Sequence, residues 1–481
     1  MTCLVPTALL YLCLTGNRTA KDLTMTSFPF RAALAATFLL AAAAAAAEPA
    51  LTSSPTAAPP AAPALVATST AGPAAGKPGV AGPRLESVLK ECSSRTFWQA
   101  NYPVPVLDRT LVTQSLDDAR TYLQRQQRDD GLFNGDYDIP TKQRLERPGA
   151  AVQAHALWAL IRGTEGRPTA AAIASIQRGL NAFFIAMRPQ VVALGSGAPV
   201  FEGDGDIRTA TVAALALAIM DYLDGKDFGI VTEARQPFRK WLDLCILWLQ
   251  KMEADNGSWA VSYIPDNNQR DSTPDAFTDG LCLLAYTRAT ADGSYPELEA
   301  RLKEARRKLL IQYLVGAWCG KRDAAQIRRF APAAALAYAA GATRAGDPAE
   351  TTLCGDAALS LAWWLLLPGD ILHRERQPAS NALPLLAAAR VAMARGDAAA
   401  AAELRTATDE LLIRALRHQV RSPLWTRNPA VFSLQLPENL TGGLISPPDN
   451  TRMRLDDLPF LILALRERQE AGFPEPAAAG P

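Results

Sequence analysis

The chain has 481 residues, with 49 Lys and Arg against 48 Asp and Glu, so its charges nearly cancel. This balance argues against a nucleic-acid-binding protein, which normally carries a basic surplus. Hydrophobic residues make up 49% of the chain, which excludes a wholly disordered protein. Length alone predicts about three domains at roughly 150 residues each, but an internal repeat predicts a single one.

The amino-terminal part of the chain is predicted not to belong to the folded domain. The segment from Met25 has one basic residue, Arg31, followed by an apolar run and by small residues that suit cleavage near Ala47. This is typical of a secretory signal peptide, and the run is shorter than the about 20 residues of a membrane span. We expect a signal peptide region at 1–47, in which Met25 is a candidate start, and a disordered Ala/Pro-rich linker at 48–84. A periplasmic or secreted location follows.

Cysteines and histidines predict no metal site. The cysteines after Met25 are irregularly spaced, which fits neither a disulfide framework nor a zinc site. Cys245 and Cys282 lie in apolar helical patterns, so we expect them to be buried. The 3 histidines are far apart, and His155 is expected to be a hydrogen-bonded core residue. We therefore expect no metal and no cofactor.

A repeat organises the rest of the chain. The segment YLQRQQRDDGLF, which runs from Tyr122 to Phe133, aligns without a gap on WLQKMEADNGSW, which ends at Trp259. Tyr137 and Tyr263 fall at the same offset of 126 residues. Loops recur at about half this offset, which predicts six units. The loops begin at Asp129, Gly195, Asp255, Cys319, Arg376 and Gly442.

Between the loops, apolar residues recur every three or four positions, which predicts helices. The helix before each loop carries charge on one face, with predicted bounds 114–128, 168–188, 232–254, 296–314, 350–366 and 399–419. The helix after each loop is Ala-rich and apolar nearly all round, with predicted bounds 149–163, 207–223, 275–291, 325–342, 381–395 and 455–467. Helices of the second kind are buried on every side. The sequence therefore predicts an inner helical ring inside an outer one, over 85–471, and a disordered tail at 472–481.

Twelve alternating helices joined by (Asp/Asn)-Gly-x-(Phe/Trp) loops resemble the (α/α)6 toroid superfamily. This group includes six-hairpin glycosidases, polysaccharide lyases and the carboxy-terminal domain of glucuronyl C5-epimerases. The closing segment from Gly442 to Asp456 is also similar to the end of bacterial glycan-processing toroids. The resemblance implies an all-α (α/α)6 toroid that acts on a polysaccharide or oligosaccharide.

The loops enter the inner helices from one end, so we expect their side chains to converge at one mouth. Sugar hydrolysis needs one protonated and one ionised carboxyl group, and a tyrosine could be the acid or base of a lyase or epimerase. The candidate catalytic residues are Glu202, Asp204, Asp206, Asp275, Asp279, Tyr137 and Tyr263. The candidate substrate-binding residues are Arg147, Gln153, Arg208, Trp259, Arg329, Asn381, Arg454 and Asp456.

Structural roles are the alternative for several of these residues. Asp206, Asp275 and Asp456 are placed to cap helices, while Phe133 and Trp259 could fill the gap between hairpins. The arginines could form surface salt bridges instead of binding a sugar carboxylate.

Four functions are compatible with these patterns. The leading hypothesis is a glycoside hydrolase, and the second is a uronate polysaccharide lyase or epimerase. A non-catalytic glycan-binding protein of the cell envelope is the third. A similar Gln…Gly…aromatic loop occurs in terpene cyclases, but the Asp-x-Asp-Asp and Asp-Asp-x-x-Asp motifs are missing, because Phe460 stands where the second motif needs its last Asp. The expected partner is thus a glycan, with the oligomeric state left open.

Overall fold

The computed structural model describes residues 107–472, except 146–147, 189–196, 201–204, 231, 319–323, 345, 375, 429–430, 432 and 448–449. The predicted signal region and linker lie outside the described residues, and so does the predicted tail beyond Gly472.

Within the described residues, twelve long α-helices follow one another, and their bounds lie close to the predicted ones. In chain order they are Arg109–Gln126 (α1), Ala150–Thr164 (α2), Ala170–Ala186 (α3), Thr209–Asp224 (α4), Thr232–Met252 (α5), Ala276–Ala289 (α6), Leu298–Leu309 (α7), Ala324–Thr343 (α8), Pro348–Leu366 (α9), Pro378–Ala394 (α10), Ala398–Arg417 (α11) and Leu458–Glu470 (α12). The α7 helix continues through the π-helical segment Leu310–Val315 and the short α-helix Gly316–Trp318.

The even-numbered helices form a closed inner ring. Each of them packs on the next, and α12 packs on α2, which closes the ring. The odd-numbered helices lie outside; α1, for example, packs on α2 and α12, and α9 packs on α8 and α10. Every residue of α4 from Thr209 to Leu223 is buried, as expected for a helix that is apolar on all sides. The predicted all-α (α/α)6 toroid is confirmed.

The long connections from outer to inner helices lie at one end of the ring and contain short strands. These strands are Tyr137–Asp138 (β1), Gln143–Arg144 (β2), Met187–Arg188 (β3), Ala198–Pro199 (β4), Ile207–Arg208 (β5), Ser262–Ile264 (β6), Gln269–Asp271 (β7) and Arg452–Met453 (β8). They form the sheets β2-β1-β8, β3-β4 and β5-β6-β7. The sequence pattern does not predict these strands, because strands of two or three residues are too short to show an alternating pattern.

The repeat seen in the sequence has a structural cause. Gly131 and Gly257 occupy the same place in their loops, both with positive φ (+85° and +80°), a conformation that glycine adopts without strain. After each turn, a side chain from the next inner helix fixes the loop: Gln153 Oε1 accepts the Phe133 N–H (2.7 Å), and Asp279 Oδ1 accepts the Trp259 N–H (2.8 Å). Gln153 and Asp279 are themselves one repeat offset apart.

The opposite end of the ring is closed by an ionic cluster. The buried carboxylate of Asp221 accepts hydrogen bonds from Trp158 Nε1 and from Arg288 Nη2, both at 2.6 Å. Arg162 lies beside them and pairs with Glu467 at 3.3 Å. These residues come from α2, α4, α6 and α12, so charge–charge contacts tie the carboxyl ends of four inner helices together.

Two further predictions concern the core and the membrane. Cys245 and Cys282 are free and buried, as predicted, and Cys354 is as well. Within the part of the chain that the structure describes, no helix is long and apolar enough to cross a membrane.

The ionic cluster predicts unequal effects for two acids of α4. Asp221→Ala should lower the free energy of unfolding by about 3–5 kcal/mol, because it leaves Arg288 without its buried partner. Asp224 also contacts Arg288, at 3.2 Å, but its side chain is 71% exposed, so Asp224→Ala should cost less than about 1 kcal/mol. Urea unfolding of both variants measures the difference, and equal losses would contradict this role for Asp221.

Candidate functional site

A cavity of about 210 Å³ lies at the mouth of the ring, where the inner helices begin. Five of the six inner helices, with the residues just before them, contribute to its wall; α4 does not. The lining residues are Ala151, Val152, His155, Phe277, Arg328, Arg329, Pro332, Gln377, Ser380, Asp456, Asp457 and Phe460. The site is therefore assembled from helices that are far apart in the sequence.

Two adjacent carboxyl groups stand where α12 begins. Burial raises the pKa of Asp456 to about 6, and the nearby charges of Asp457 and Asp136 add to this effect. The Oδ1 atom of Asp456 is buried and makes no hydrogen bond. Burial also raises the pKa of Asp457, but the hydroxyl of Ser446 donates to its Oδ2 at 2.5 Å and opposes the increase. One carboxyl group is thus unpartnered at one oxygen, while the other is held as an acceptor.

Pairing between the first and last loops places a third carboxylate nearby. Strand β1 runs antiparallel to β8, with Tyr137 opposite Met453. Asp136, the residue before β1, accepts the Leu455 N–H with its Oδ1 at 3.0 Å, across 319 positions of the chain. This contact explains why the charge of Asp136 reaches Asp456.

Arginines line the cavity from α8. Arg328 and Arg329 both contribute to its wall, and Arg329 Nη2 lies 2.7 Å from Asp275 Oδ1. Asp275 also caps α6, where its Oδ2 accepts the Thr278 N–H at 3.0 Å. The cavity is therefore lined by acidic residues at the start of α12 and by arginines of α8, two helices that are separated by α10 in the ring.

Aromatic rings cover the inner part of the cavity. His155, on α2, is only 4% exposed, and its ring packs edge-to-face against Phe460 at 4.6 Å and against Phe277 at 6.0 Å. Trp158 stacks on the same imidazole at 5.5 Å. Burial lowers the pKa of His155 to about 4, so the ring is neutral at physiological pH. Its Nε2 atom is buried without a hydrogen-bond partner.

Of the predicted site residues, Asp456 and Arg329 line the cavity, and two more lie beside them. Asp275 is held against Arg329, and the charge of Arg454 lowers the pKa of Asp456. Asn381 is buried in the first turn of α10, next to Ser380, which lines the cavity. The predicted convergence of these loops at one mouth is therefore seen for the last two units and for the α6 and α8 helices.

Other predicted residues are buried away from the cavity, and the structure does not support their contact with a substrate. Asp279 accepts hydrogen bonds from the Trp259 N–H and, at 2.6 Å, from the Tyr313 hydroxyl. Gln153 anchors the first loop through Phe133, as described above. Three aromatic residues pack in the core, as the alternative for Trp259 predicted: Trp259, Tyr263 and Tyr137.

The second loop is only partly described. Asp206 does not cap α4; its Oδ2 instead pairs with Arg208 Nε at 2.9 Å. Asp456 does not cap α12 either, because the capping position is Asp457, whose side chain makes no capping hydrogen bond. Three predicted residues lie outside the described residues: Arg147, Glu202 and Asp204.

Several cavity residues were not selected from the sequence. His155 was expected to be a hydrogen-bonded core residue, but its Nε2 makes no hydrogen bond. Phe277 and Phe460 fall within the predicted inner helices 275–291 and 455–467. A core-facing and a cavity-facing position of an inner helix have the same apolar pattern, so the sequence offers no signal that separates them. One signal did exist for Asp279, since it lies one repeat offset from Gln153.

Comparisons with known proteins support the fold. No protein-family model matches the sequence, and no curated protein sequence matches it significantly. Among solved structures, the chain is similar to an unsaturated glucuronyl hydrolase specific for heparin (TM-score 0.52, 10% identity), over 76% of this chain and 98% of that one. It is also similar to a D-mannose isomerase (0.51, 10%, over 77% and 100%) and to a sugar epimerase from a ruminal bacterium (0.51, 11%, over 74% and 98%). At this identity the similarity shows the (α/α)6 toroid fold.

The raised pKa of Asp456 predicts that this residue destabilises the folded protein at neutral pH. Because its folded pKa lies above that of an unfolded aspartate, the stability that the proton provides at low pH is lost as the pH rises through about 6. Asp456→Asn should therefore raise the free energy of unfolding at pH 8 by about 1–2 kcal/mol, a value reduced for partial exposure and for coupling to Asp457. At pH 4 it should change little.

Asp138 provides the matched control at the same mouth. Hydrogen bonds from Thr141 lower the pKa of Asp138, so Asp138→Asn should not gain stability at pH 8. Chemical unfolding at both pH values measures the effect. A loss of stability for Asp456→Asn at pH 8 would show that Asp456 has a satisfied, structural role.

Proposed function

We propose that the chain is a carbohydrate-active enzyme that hydrolyses a glycosidic bond in the mouth cavity, with Asp456 as the general acid and Asp457 as its ionised partner. The observation that carries this proposal is the unpartnered, buried Oδ1 of Asp456 in a cavity wall. A carboxyl group that stays protonated near pH 6 is suited to donate its proton to a leaving oxygen.

The surroundings of the two carboxyl groups favour different protonation states, as hydrolysis requires. Asp456 is desolvated and sits among other negative charges, so its protonated form is favoured. The Ser446 hydroxyl donates to Asp457 and favours the ionised form of that group. The charge of Asp457 also raises the pKa of Asp456, which favours the protonated form of Asp456 while Asp457 is ionised.

In the proposed reaction, one carboxyl group acts as the acid and the other as the base. As the bond between the anomeric carbon and the glycosidic oxygen breaks, Asp456 gives its proton to that oxygen. Asp457 accepts a proton from a water molecule whose oxygen attacks the anomeric carbon. The products are a free hemiacetal and the released alcohol, and proton exchange with solvent restores both carboxyl groups.

The structural comparisons are consistent with a sugar substrate. The three similar structures bear the names of an unsaturated glucuronyl hydrolase, a D-mannose isomerase and a sugar epimerase. Export to the periplasm or medium, which the amino-terminal sequence predicts, would give such an enzyme access to extracellular glycans. We therefore propose that the substrate is a glycan and that the protein acts in the periplasm or the medium.

Arg328 and Arg329 favour a second candidate, a lyase or epimerase acting on uronates. Both residues line the same cavity as the acids, and guanidinium groups bind sugar carboxylates. In that case a carboxylate of the mouth would remove the proton from the carbon next to the uronate carboxyl group. The products separate this reaction from hydrolysis.

The test is a panel of neutral and uronate-containing oligosaccharides, with products followed by reducing sugar, by absorbance of unsaturated uronates and by the proton NMR spectrum. Hydrolysis predicts new reducing ends without absorbance, and Asp456→Asn should lower the rate by about 100-fold or more. Asp224→Asn, at the closed end of the ring, is the control and should keep the wild-type rate. Unsaturated or epimerised products would assign the second candidate, and binding without turnover would contradict both reactions.

The pH dependence gives an independent prediction. Asp456 acts only when it is protonated, so the rate should fall as the pH rises through about 6. A pH profile of kcat/KM on the substrate found by the panel measures this. A rate that rises through pH 6 would instead assign Asp456 as a base.

A further inference from the structure

We infer that the cavity is a subsite for one terminal sugar ring, in which Phe277 and Phe460 contact the apolar face of the sugar and His155 Nε2 hydrogen-bonds one of its hydroxyl groups. This inference rests on the proposed function for the identity of the ligand as a sugar. It adds His155 as a specificity-determining residue, and it adds the position of the bond relative to the end of the chain.

His155 has a side-chain nitrogen without a hydrogen-bond partner. Its side chain lines the cavity, is almost fully buried, and leaves Nε2 without a partner. Burying a polar atom without a hydrogen bond costs free energy, and such atoms are rare in folded proteins. A leucine or phenylalanine would fill this apolar position without that cost. A hydroxyl group of a ligand would supply the missing partner.

The wall around the imidazole of His155 is aromatic. Phe460 and Phe277 flank the imidazole, and their own ring centroids are 6.4 Å apart. Sugars present an apolar C–H face as well as hydroxyl groups, and pockets for small ligands combine aromatic walls with few polar atoms. A neutral imidazole can either donate or accept one hydrogen bond at Nε2, depending on its tautomer. The wall therefore matches one face and one hydroxyl group of a sugar.

The size of the cavity suits the end of a glycan. The cavity volume of about 210 Å³ is below the roughly 300–1,000 Å³ of pockets for drug-sized ligands. The cluster of Asp221, Arg288 and Arg162 lies at the other end of the ring, away from the mouth. We expect a glycan to enter by the mouth, with its terminal ring innermost and the bond next to Asp456.

The test of recognition uses methyl glycosides of glucose, mannose, galactose and glucuronic acid, together with their monodeoxy analogues, in calorimetric titrations. For the wild type, we expect at least one parent sugar to bind, and one of its deoxy analogues to bind about tenfold or more weakly. His155→Phe should remove this discrimination, so that the parent and that deoxy analogue bind equally. His155→Gln, which keeps a hydrogen-bonding group, should retain part of it.

The test of position uses the wild-type protein alone and does not depend on the folding of a variant. Product analysis on a polymer should show release of monosaccharide from the first turnover, without a rapid fall in polymer length. Discrimination that survives in His155→Phe, or cleavage at internal bonds, would overturn the inference while leaving an Asp456-dependent hydrolase in place. Binding that depends on His155, without cleavage of any glycan, would overturn the proposed function and support the subsite.

Discussion

The packing of the last helix, α12, against the first inner helix, α2, is the contact on which the rest of the structure depends. Inner helices such as α4, which is buried on every side, can bury every face only if the ring closes. Closure depends on α2 and α12, the first and last inner helices. The same seam brings His155 within 4.6 Å of Phe460, and it carries Asp456 and Asp457 to the cavity. The same contact therefore closes the ring and positions these residues of the site.

The contact between α2 and α12 is supported at both ends of the ring. At the mouth, β1 pairs with β8 and Asp136 accepts the Leu455 N–H, so the first and last loops are joined by the backbone. At the other end, Arg162 of α2 pairs with Glu467 and Glu470 of α12. A change that loosened either contact would act on stability and on the acid pair together, since both depend on the position of α12.

Much of this fold was predictable from the sequence, and less of the site was. Helical periodicity predicted the two alternating sets of helices, and burial on all sides leaves a strong compositional trace in inner helices such as α4. The outer helix α9 carries the same trace, because it is buried over most of its length. Site geometry leaves a weaker trace. Asp279 and Asp456 look alike in the sequence, each close to the start of an inner helix. Only the contacts differ: two donors satisfy Asp279, whereas Asp456 keeps an unpartnered oxygen.

This difference gives a physical reason to separate structural from functional carboxyl groups. Burial raises the pKa of both, to about 7 for Asp279 and about 6 for Asp456, so a perturbed pKa alone does not identify an active site. Both oxygens of Asp279 accept hydrogen bonds, one from the Trp259 N–H and one from the Tyr313 hydroxyl. A substrate could contact Asp279 only if these hydrogen bonds broke. Asp456 is also desolvated, but no hydrogen bond to its Oδ1 offsets this cost, and its side chain lines the cavity. An unsatisfied acid and an unsatisfied imidazole in the wall of one cavity both lower stability with no gain to the fold, and this cost is the physical reason for proposing that the cavity binds a ligand.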